Sequence, residues 1–318
     1  MLSALSELGE RPVPELAQAA GIREHSARYA LDLIIKKKIV KPITYVNVRK
    51  MGYVAYSIFF SLVGGNEYDR STFLQSLEAS EYVSWVAEFV GEYQYAVTIY
   101  ARHIDDFESF LYGLSSRSAC QLSDKAIRLD FSFHYFPLKF FLTPGRKCMP
   151  IIWDKPSEGF LELDEIDHRM LVELTNQDYP STATIARKIG IPTTTAHNRI
   201  ERLKKQGVIV NFTYFFNAEK AGLHTYKCML FTRGMDPLFR EQFFEFAQKH
   251  PNVSLIVSCA GAWDYEVNFT LNDGARLQDC ILDLYANLGS HITAIKTIQL
   301  IRHIKADAYP FKTFHKRQ

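Results

Sequence analysis

The sequence predicts an α+β protein of two tandem copies of one unit, each a winged helix-turn-helix followed by a ferredoxin-like βαββαβ domain. Three observations carry this reading. The chain matches itself at a nearly constant offset, three short helical patterns recur around a glycine turn, and strand and helix patterns then alternate in a fixed order. Leu16-Ala17-Gln18-Ala19-Ala20-Gly21-Ile22 answers Ile185-Ala186-Arg187-Lys188-Ile189-Gly190-Ile191, an offset of 169 (190 − 21). Lys50-Met51-Gly52 answers Lys220-Ala221-Gly222, an offset of 170 (222 − 52), and Tyr56 answers Tyr226. Val83-Ser84, Gly91 and Tyr95 answer Val253-Ser254, Gly261 and Tyr265. Phe136-Pro137-Leu138-Lys139 answers Tyr309-Pro310-Phe311-Lys312. Matches in one order with a slowly drifting offset mark a duplicated unit.

The second copy shows each element most clearly. Residues 164–176 carry Ile166, Met170, Leu171 and Leu174 at helical spacing behind a Leu163-Asp164 cap, and Tyr179-Pro180 breaks the chain. Ser181 caps a short helix that turns Ile185, Ala186 and Ile189 inward, and Gly190 makes the turn. A third helix over 193–206 buries Ala196, Ile200 and Leu203 and stops at Gly207. Residues 208–216, rich in β-branched and aromatic side chains, are extended. Strands over 224–232, 253–260, 265–271 and 292–304 alternate with helices over 237–249 and 275–288 in the order βαββαβ. The stripe of Phe239, Phe243, Phe246 and Ala247 is core. Val257, Cys259, Val267 and Phe269 leave little of the other sheet face polar, so the two sheet domains are expected to cover each other within one chain.

Residues 143–160, with Pro144, Gly145, Pro150, Pro156 and Gly159, read as a linker. The domain plan is therefore 1–46 (a degenerate winged helix-turn-helix), 47–142 (a sheet domain), 143–160 (linker), 161–216 (winged helix-turn-helix) and 217–318 (sheet domain).

Composition excludes several classes. A net charge of +2 confines any polyanion-binding surface to a local patch. With 23 Phe and 17 Tyr the chain is not a disordered tail. The five cysteines are scattered without a C-x-x-C pair, which argues against a disulfide framework or a structural zinc site. The longest apolar stretch, 53–63, is too short to span a bilayer, and Met1 to Glu7 has no basic leader pattern, so a cytoplasmic protein with no membrane partner is expected. No nucleophile elbow, phosphate loop, metal-ligand spacing or carboxylate pair stands out, so no catalytic residue, cofactor or metal is assigned and the chain reads as a non-enzyme.

The third helix of the second copy carries the functional pattern. Its leading turns present Thr193, Thr194, Thr195, His197 and Asn198, side chains able to reach base edges in a major groove. Arg199, Arg202, Lys204 and Lys205 follow against Glu201 alone, a flank suited to phosphates; the bland reading is a solvated basic face. Double-stranded DNA is the partner this implies.

The second copy resembles the Lrp/AsnC family of transcription regulators. The residues that carry the resemblance are Leu163-Asp164-Glu165-Ile166-Asp167, Ile185-Ala186 with Gly190, Arg199-Ile200 with Leu203, Gly207-Val208-Ile209, and Gly261-x-x-Asp264-Tyr265. The resemblance spans nearly all of 161–310. It implies that the sheet domain serves for effector binding and assembly, that the effector is an amino acid or similar small molecule, and that chains form homo-oligomers. The effector candidates are Gly261, Trp263 and Asp264, with Asp264 offering an anion to an ammonium group; a turn role for Asp264 is the alternative.

The first copy departs from that pattern. It lacks the Leu-Asp-x-x-Asp start, Ala30 stands where Arg199 stands, Lys38 replaces Gly207, and Gln94 replaces Asp264. Arg23, His25 and Arg28, with Lys36, Lys37, Lys38 and Lys41, remain as candidate DNA contacts or as a solvated basic surface. The expected function is a sequence-specific transcription regulator in which one chain imitates a dimer. The alternative is a tetrapyrrole enzyme, since siroheme decarboxylases resemble the same two-part architecture; Arg102, His103, His134, Arg302 and His303 are the side chains such chemistry would draw on. An assembly-only partner of a full regulator is a third.

Overall fold

The computed structural model describes residues 1–9, 11–116, 119–136, 138–142, 148, 150–153, 159–175 and 181–313. The break expected at Tyr179-Pro180 lies outside them, as do Pro137 and most of the expected linker. The first helix-turn-helix comprises α1 (Leu2–Leu8), α2 (Val13–Ala20) and α3 (Glu24–Lys36), followed by β1 (Val40–Val46). The first sheet domain comprises β2 (Val54–Val63), α4 (Glu67–Ala79), β3 (Val83–Val90), β4 (Tyr95–Ala101), α5 (Ile104–Ser116) and β5 (Gln121–Tyr135). A short strand, β6 (Ile151–Trp153), follows. The second copy runs through α6 (Glu165–Thr175), α7 (Thr182–Ile189), α8 (Thr193–Lys205), β7 (Ile209–Phe216), β8 (His224–Thr232), α9 (Pro237–Lys249), β9 (Val253–Gly261), β10 (Tyr265–Leu271), α10 (Leu277–Leu288) and β11 (Ile292–Ala306). Each copy thus has the order expected from its sequence.

The chain folds into two compact units, and each draws on both copies. One unit joins Met1–Ile43, Ser132–Ile152 and Phe212–Ile301; the other joins Thr44–Phe131, Trp153–Asn211 and Arg302–Gln318. The first unit therefore holds the first helix-turn-helix with the second sheet domain. In it Leu5, Leu16 and Leu31 pack with Tyr214, Phe216 and Ala218. The Asn217 amide donates to Lys38 O at 2.9 Å. Antiparallel pairing places β10 between β8 and β9, and β11 on the far side of β8. Phe239, Phe243 and Leu284 close the helical face over Cys228, Leu230, Val267 and Phe269.

Strand alternation corrects one expectation here. Val267 and Phe269 turn toward the helices, so of the expected set Val257 remains on the opposite face, where it pairs with Glu266. Glu266, fully buried, forms an ion pair with the equally buried Lys227. A buried ion pair costs desolvation that only good geometry repays.

In the second unit β4 lies between β2 and β3, and β2 also pairs with β5. Ile58, Phe60, Val97 and Ile99 pack beneath Phe73, Leu77 and Phe107. The second helix-turn-helix belongs to this unit. Thr44 Oγ1 donates to Leu174 O at 2.9 Å, and Asn47 N donates to Val208 O at 2.8 Å. The C-terminal segment adds Phe311, stacked on Tyr53 with ring centroids 4.3 Å apart. Tyr309 OH lies 3.0 Å from His168 Nδ1.

The reading of 143–160 as plain linker missed β6. Two β-branched residues and a tryptophan suffice to add a short edge strand beside β5, and Ile151 is buried there.

Candidate functional site

Helix α8 is positioned by its own buried stripe. Ala196, Ile200 and Leu203 lock one face inward, which turns Thr193, Thr194, His197 and Asn198 out to solvent and leaves Thr195 half-buried. Gly207 ends the helix with φ +70°, a conformation that glycine adopts without steric penalty. The polar side chains of the leading turns are thus free-standing on the surface, as base reading requires.

The basic flank divides into two parts. Arg199 and Arg202 turn back onto α6 rather than outward. Arg199 Nη1 donates to Asp164 at 2.7 Å and to Asp167 at 2.9 Å, and Arg202 pairs with Asp167 from its other side. Asp167 is only 2% exposed, so this is a structural clamp between α6 and α8. Burial pushes Asp164 upward, but the Asp167 N–H and the Arg199 guanidinium outweigh it and hold its carboxyl below the ordinary value. Lys204 pairs with Glu201 on the surface at 2.8 Å, an exposed contact of little strength, and Lys205 is exposed.

The clamp was not read from the sequence. Its signal lay in the Leu163-Asp164-x-x-Asp167 start, which reads as a helix cap and as part of the family resemblance but does not point to its arginine partners. The first copy loses both halves together: it lacks the acidic start, and Ala30 and Leu33 stand where Arg199 and Arg202 stand.

Helix α3 has a different surface. Arg23 and His25 are exposed, and Arg28 pairs with Glu24 at 2.9 Å. Across Glu24–Lys36 two cations, Arg28 and Lys36, meet two anions, Glu24 and Asp32. Tyr29 takes the place of Asn198 and is 70% exposed.

The hairpin of the second sheet domain is built on Gly261, at φ +121°, and Trp263 is buried at 2% exposure. Asp264 Oδ2 accepts two hydrogen bonds from Thr232, from N at 2.8 Å and from Oγ1 at 2.9 Å, and so ties the hairpin to β8. The first copy repeats the arrangement with a neutral side chain. Gln94 Oε1 accepts from Leu62 N at 3.3 Å, and Gly91 has φ +131°. The tie therefore needs an acceptor at this position, not a charge.

The side chains considered for tetrapyrrole chemistry are each engaged. Arg102 lies over the Tyr53 ring at 4.5 Å, and Asp106 caps the backbone N–H of Arg102 and His103. Arg302 pairs with Glu88 at 2.6 Å, His303 accepts from the Trp85 indole at 3.0 Å, and His134 packs on Phe244. Among the described residues no helix is long and apolar enough to cross a membrane.

Residues 163–210 match a family described as winged helix-turn-helix DNA-binding. An uncharacterized HTH-type transcriptional regulator of Pyrococcus horikoshii is 33% identical over 122 residues, covering 38% of this chain and 81% of that protein. A crystal structure of the siroheme decarboxylase NirDL shares the fold along the whole chain. Its TM-score is 0.62 at 12% identity, with 98% of this chain and 93% of that one covered. An AsnC family transcriptional regulator from Agrobacterium tumefaciens aligns with 46% of this chain and 94% of its own length, at 21% identity and a TM-score of 0.40.

Proposed function

Because the chain belongs to the Lrp/AsnC family of HTH-type transcriptional regulators, we propose that it binds specific duplex DNA through α8 and regulates transcription in response to a small molecule. The observation that carries the DNA reading is the solvent-facing set Thr194, His197 and Asn198 on a helix whose other faces are fixed by core and by the Asp164–Asp167 clamp. A reader held rigidly in this way loses little on binding. Thr193 and Thr195 flank the set, and Lys204 and Lys205 supply phosphate contacts at its far end. Selection of bound sequences from random duplex DNA tests it. Asn198→Ala should cost about 1–3 kcal/mol and relax preference at one base position. Lys205→Ala should weaken all sequences alike and flatten the salt dependence. An unchanged selected motif in Thr194→Ala and Asn198→Ala would remove α8 from base reading.

The effector reading rests on the Gly261–Asp264 hairpin and on the family. Asp264 keeps one carboxylate oxygen beyond its tie to Thr232, and that oxygen is the candidate partner for the ammonium of an amino acid. Asp264→Asn should preserve the fold, because Gln94 makes the same tie with an amide. It should weaken amino-acid binding by about ten- to a hundredfold, the worth of one charge-assisted contact. Calorimetry with a panel of amino acids reads this out, and unchanged affinity frees the hairpin of any sensor role.

One observation supports a second reading. The likeness to a siroheme decarboxylase runs over both copies, and a related structure of that enzyme is described in complex with an iron-uroporphyrin III analogue. Absorbance of the protein mixed with an iron porphyrin distinguishes them: a saturable shift favours the enzyme, and its absence favours the regulator.

A further inference from the structure

We propose that α3 of the first helix-turn-helix is a docking surface for the same helix of a second copy of this chain, paired antiparallel about a two-fold axis near residue 30. The helix sits where a DNA reader would sit, yet its outward face suits another helix better than a polyanion. Within Glu24–Lys36 its charges cancel, with Arg23, Lys37 and Lys38 just beyond its ends, whereas on α8 Arg199 and Arg202 are held by the Asp164–Asp167 clamp and Lys204 and Lys205 stand against Glu201 alone. Its exposed apolar side chains are large: Tyr29 is 70% exposed and Leu33 36%, with Ile22 beside the helix start at 41%.

The order of the charges identifies the partner. Reading along the helix they are Glu24, Arg28, Asp32 and Lys36, alternating in sign at four-residue steps. Such a row is complementary to its own reverse. In an antiparallel pair centred at residue 30, Arg28 faces Asp32 of the other copy, and Glu24 faces Lys36. At about 100° per residue Arg28 and Asp32 lie on one side of the exposed face, while Tyr29 and Leu33 lie on the other. The two-fold thus brings polar side to polar side and apolar side to apolar side. The existing Glu24–Arg28 contact does not compete strongly, since both side chains are more than half exposed. The α8 sequence has no such self-complementarity.

One pair of 13-residue helices covers less than the roughly 1,200 Å² of a stable complex. The association is therefore a weak step, visible at high protein concentration or between chains already gathered on neighbouring DNA sites.

Sedimentation equilibrium of the full chain across protein concentration tests the proposal. The parent should show a self-association step that Tyr29→Glu and Arg28→Glu each weaken about tenfold or more. The swap Arg28→Glu with Asp32→Arg should restore it to near the parent value, because the reversed row is again complementary to itself. All three sites are exposed, so thermal unfolding should stay close to the parent and separate lost docking from lost folding. A step unaffected by these variants, a parent of constant mass at every concentration, or a charge swap that restores nothing would each overturn the proposal. So would a loss of DNA retardation in Tyr29→Glu with self-association intact, which would make α3 a DNA contact instead.

Discussion

Lys38 holds φ +57° at the position that Gly207 fills in the second copy at φ +70°. An L-residue pays about 1 kcal/mol or more for the left-handed conformation, while glycine pays instead in unfolded-state entropy. The chain has kept the turn and lost the residue suited to it, with the Asn217 amide bonded to Lys38 O. Lys38→Gly should stabilise the protein by up to about 1 kcal/mol, read as a higher urea midpoint at constant slope. A second residue-scale prediction concerns Lys139. Its ammonium donates to Ala247 O and lies 4.7 Å from the Phe136 ring centroid, and burial pulls its pKa down to about 8. Between that value and the unfolded value near 10.4, the unfolded chain binds the extra proton. Folding stability from this group therefore rises as pH climbs through the window. Relative to the parent, Lys139→Met should lose ground steadily from about pH 8 to pH 10 in urea titrations. A pH-independent difference would show that the ammonium is not strained by burial.

At the scale of elements, α6 and α8 are joined by charge as well as by core. Asp167 receives both arginines in a nearly dry position, so Asp167→Asn should cost about 2–3 kcal/mol and loosen the reader. DNA affinity should then fall for every sequence without a change in selected motif, the opposite signature to Asn198→Ala. The clamp also has a pH sign. Asp164 titrates below its unfolded value, so its contribution is present above the ordinary carboxylate range and is lost as pH falls through the depressed value. The helices, the glycine turns and the βαββαβ order were legible because each is written in local periodicity and repeated at an offset of about 170. The clamp was not, since Arg199 meets Asp164 across 35 residues and neither side chain advertises its partner. The role of Asp264 in tying strands was equally hidden, because an acceptor serving a neighbouring strand and a carboxylate awaiting a ligand have the same sequence. Ile151–Trp153 was too short a strand to show a period.

At the scale of the whole molecule, a duplicated sequence does not say which helix-turn-helix docks on which sheet domain. Here each compact unit takes its helical part from one copy and its sheet part from the other. In one unit Leu5, Leu16 and Leu31 from the first half are buried with Tyr214 and Phe216 from the second. In the other, Tyr53 and Tyr100 from the first half lie against Phe311, and Thr44 and Asn47 bond to Leu174 and Val208. Separating the halves therefore strips both units at once. A buried side chain of this size contributes about 1.5–3 kcal/mol, and a domain's net stability is only about 5–15 kcal/mol, so a few lost contacts of this type exhaust it. Chains 1–142 and 161–318, made separately, should each lack a cooperative thermal transition, and mixing them should restore one that depends on protein concentration. Sharp, concentration-independent unfolding of either half alone would mean that a copy folds by itself and that the exchange of parts adds nothing essential. The expected failure is what distinguishes this chain from two self-sufficient copies joined end to end: neither copy alone completes a unit.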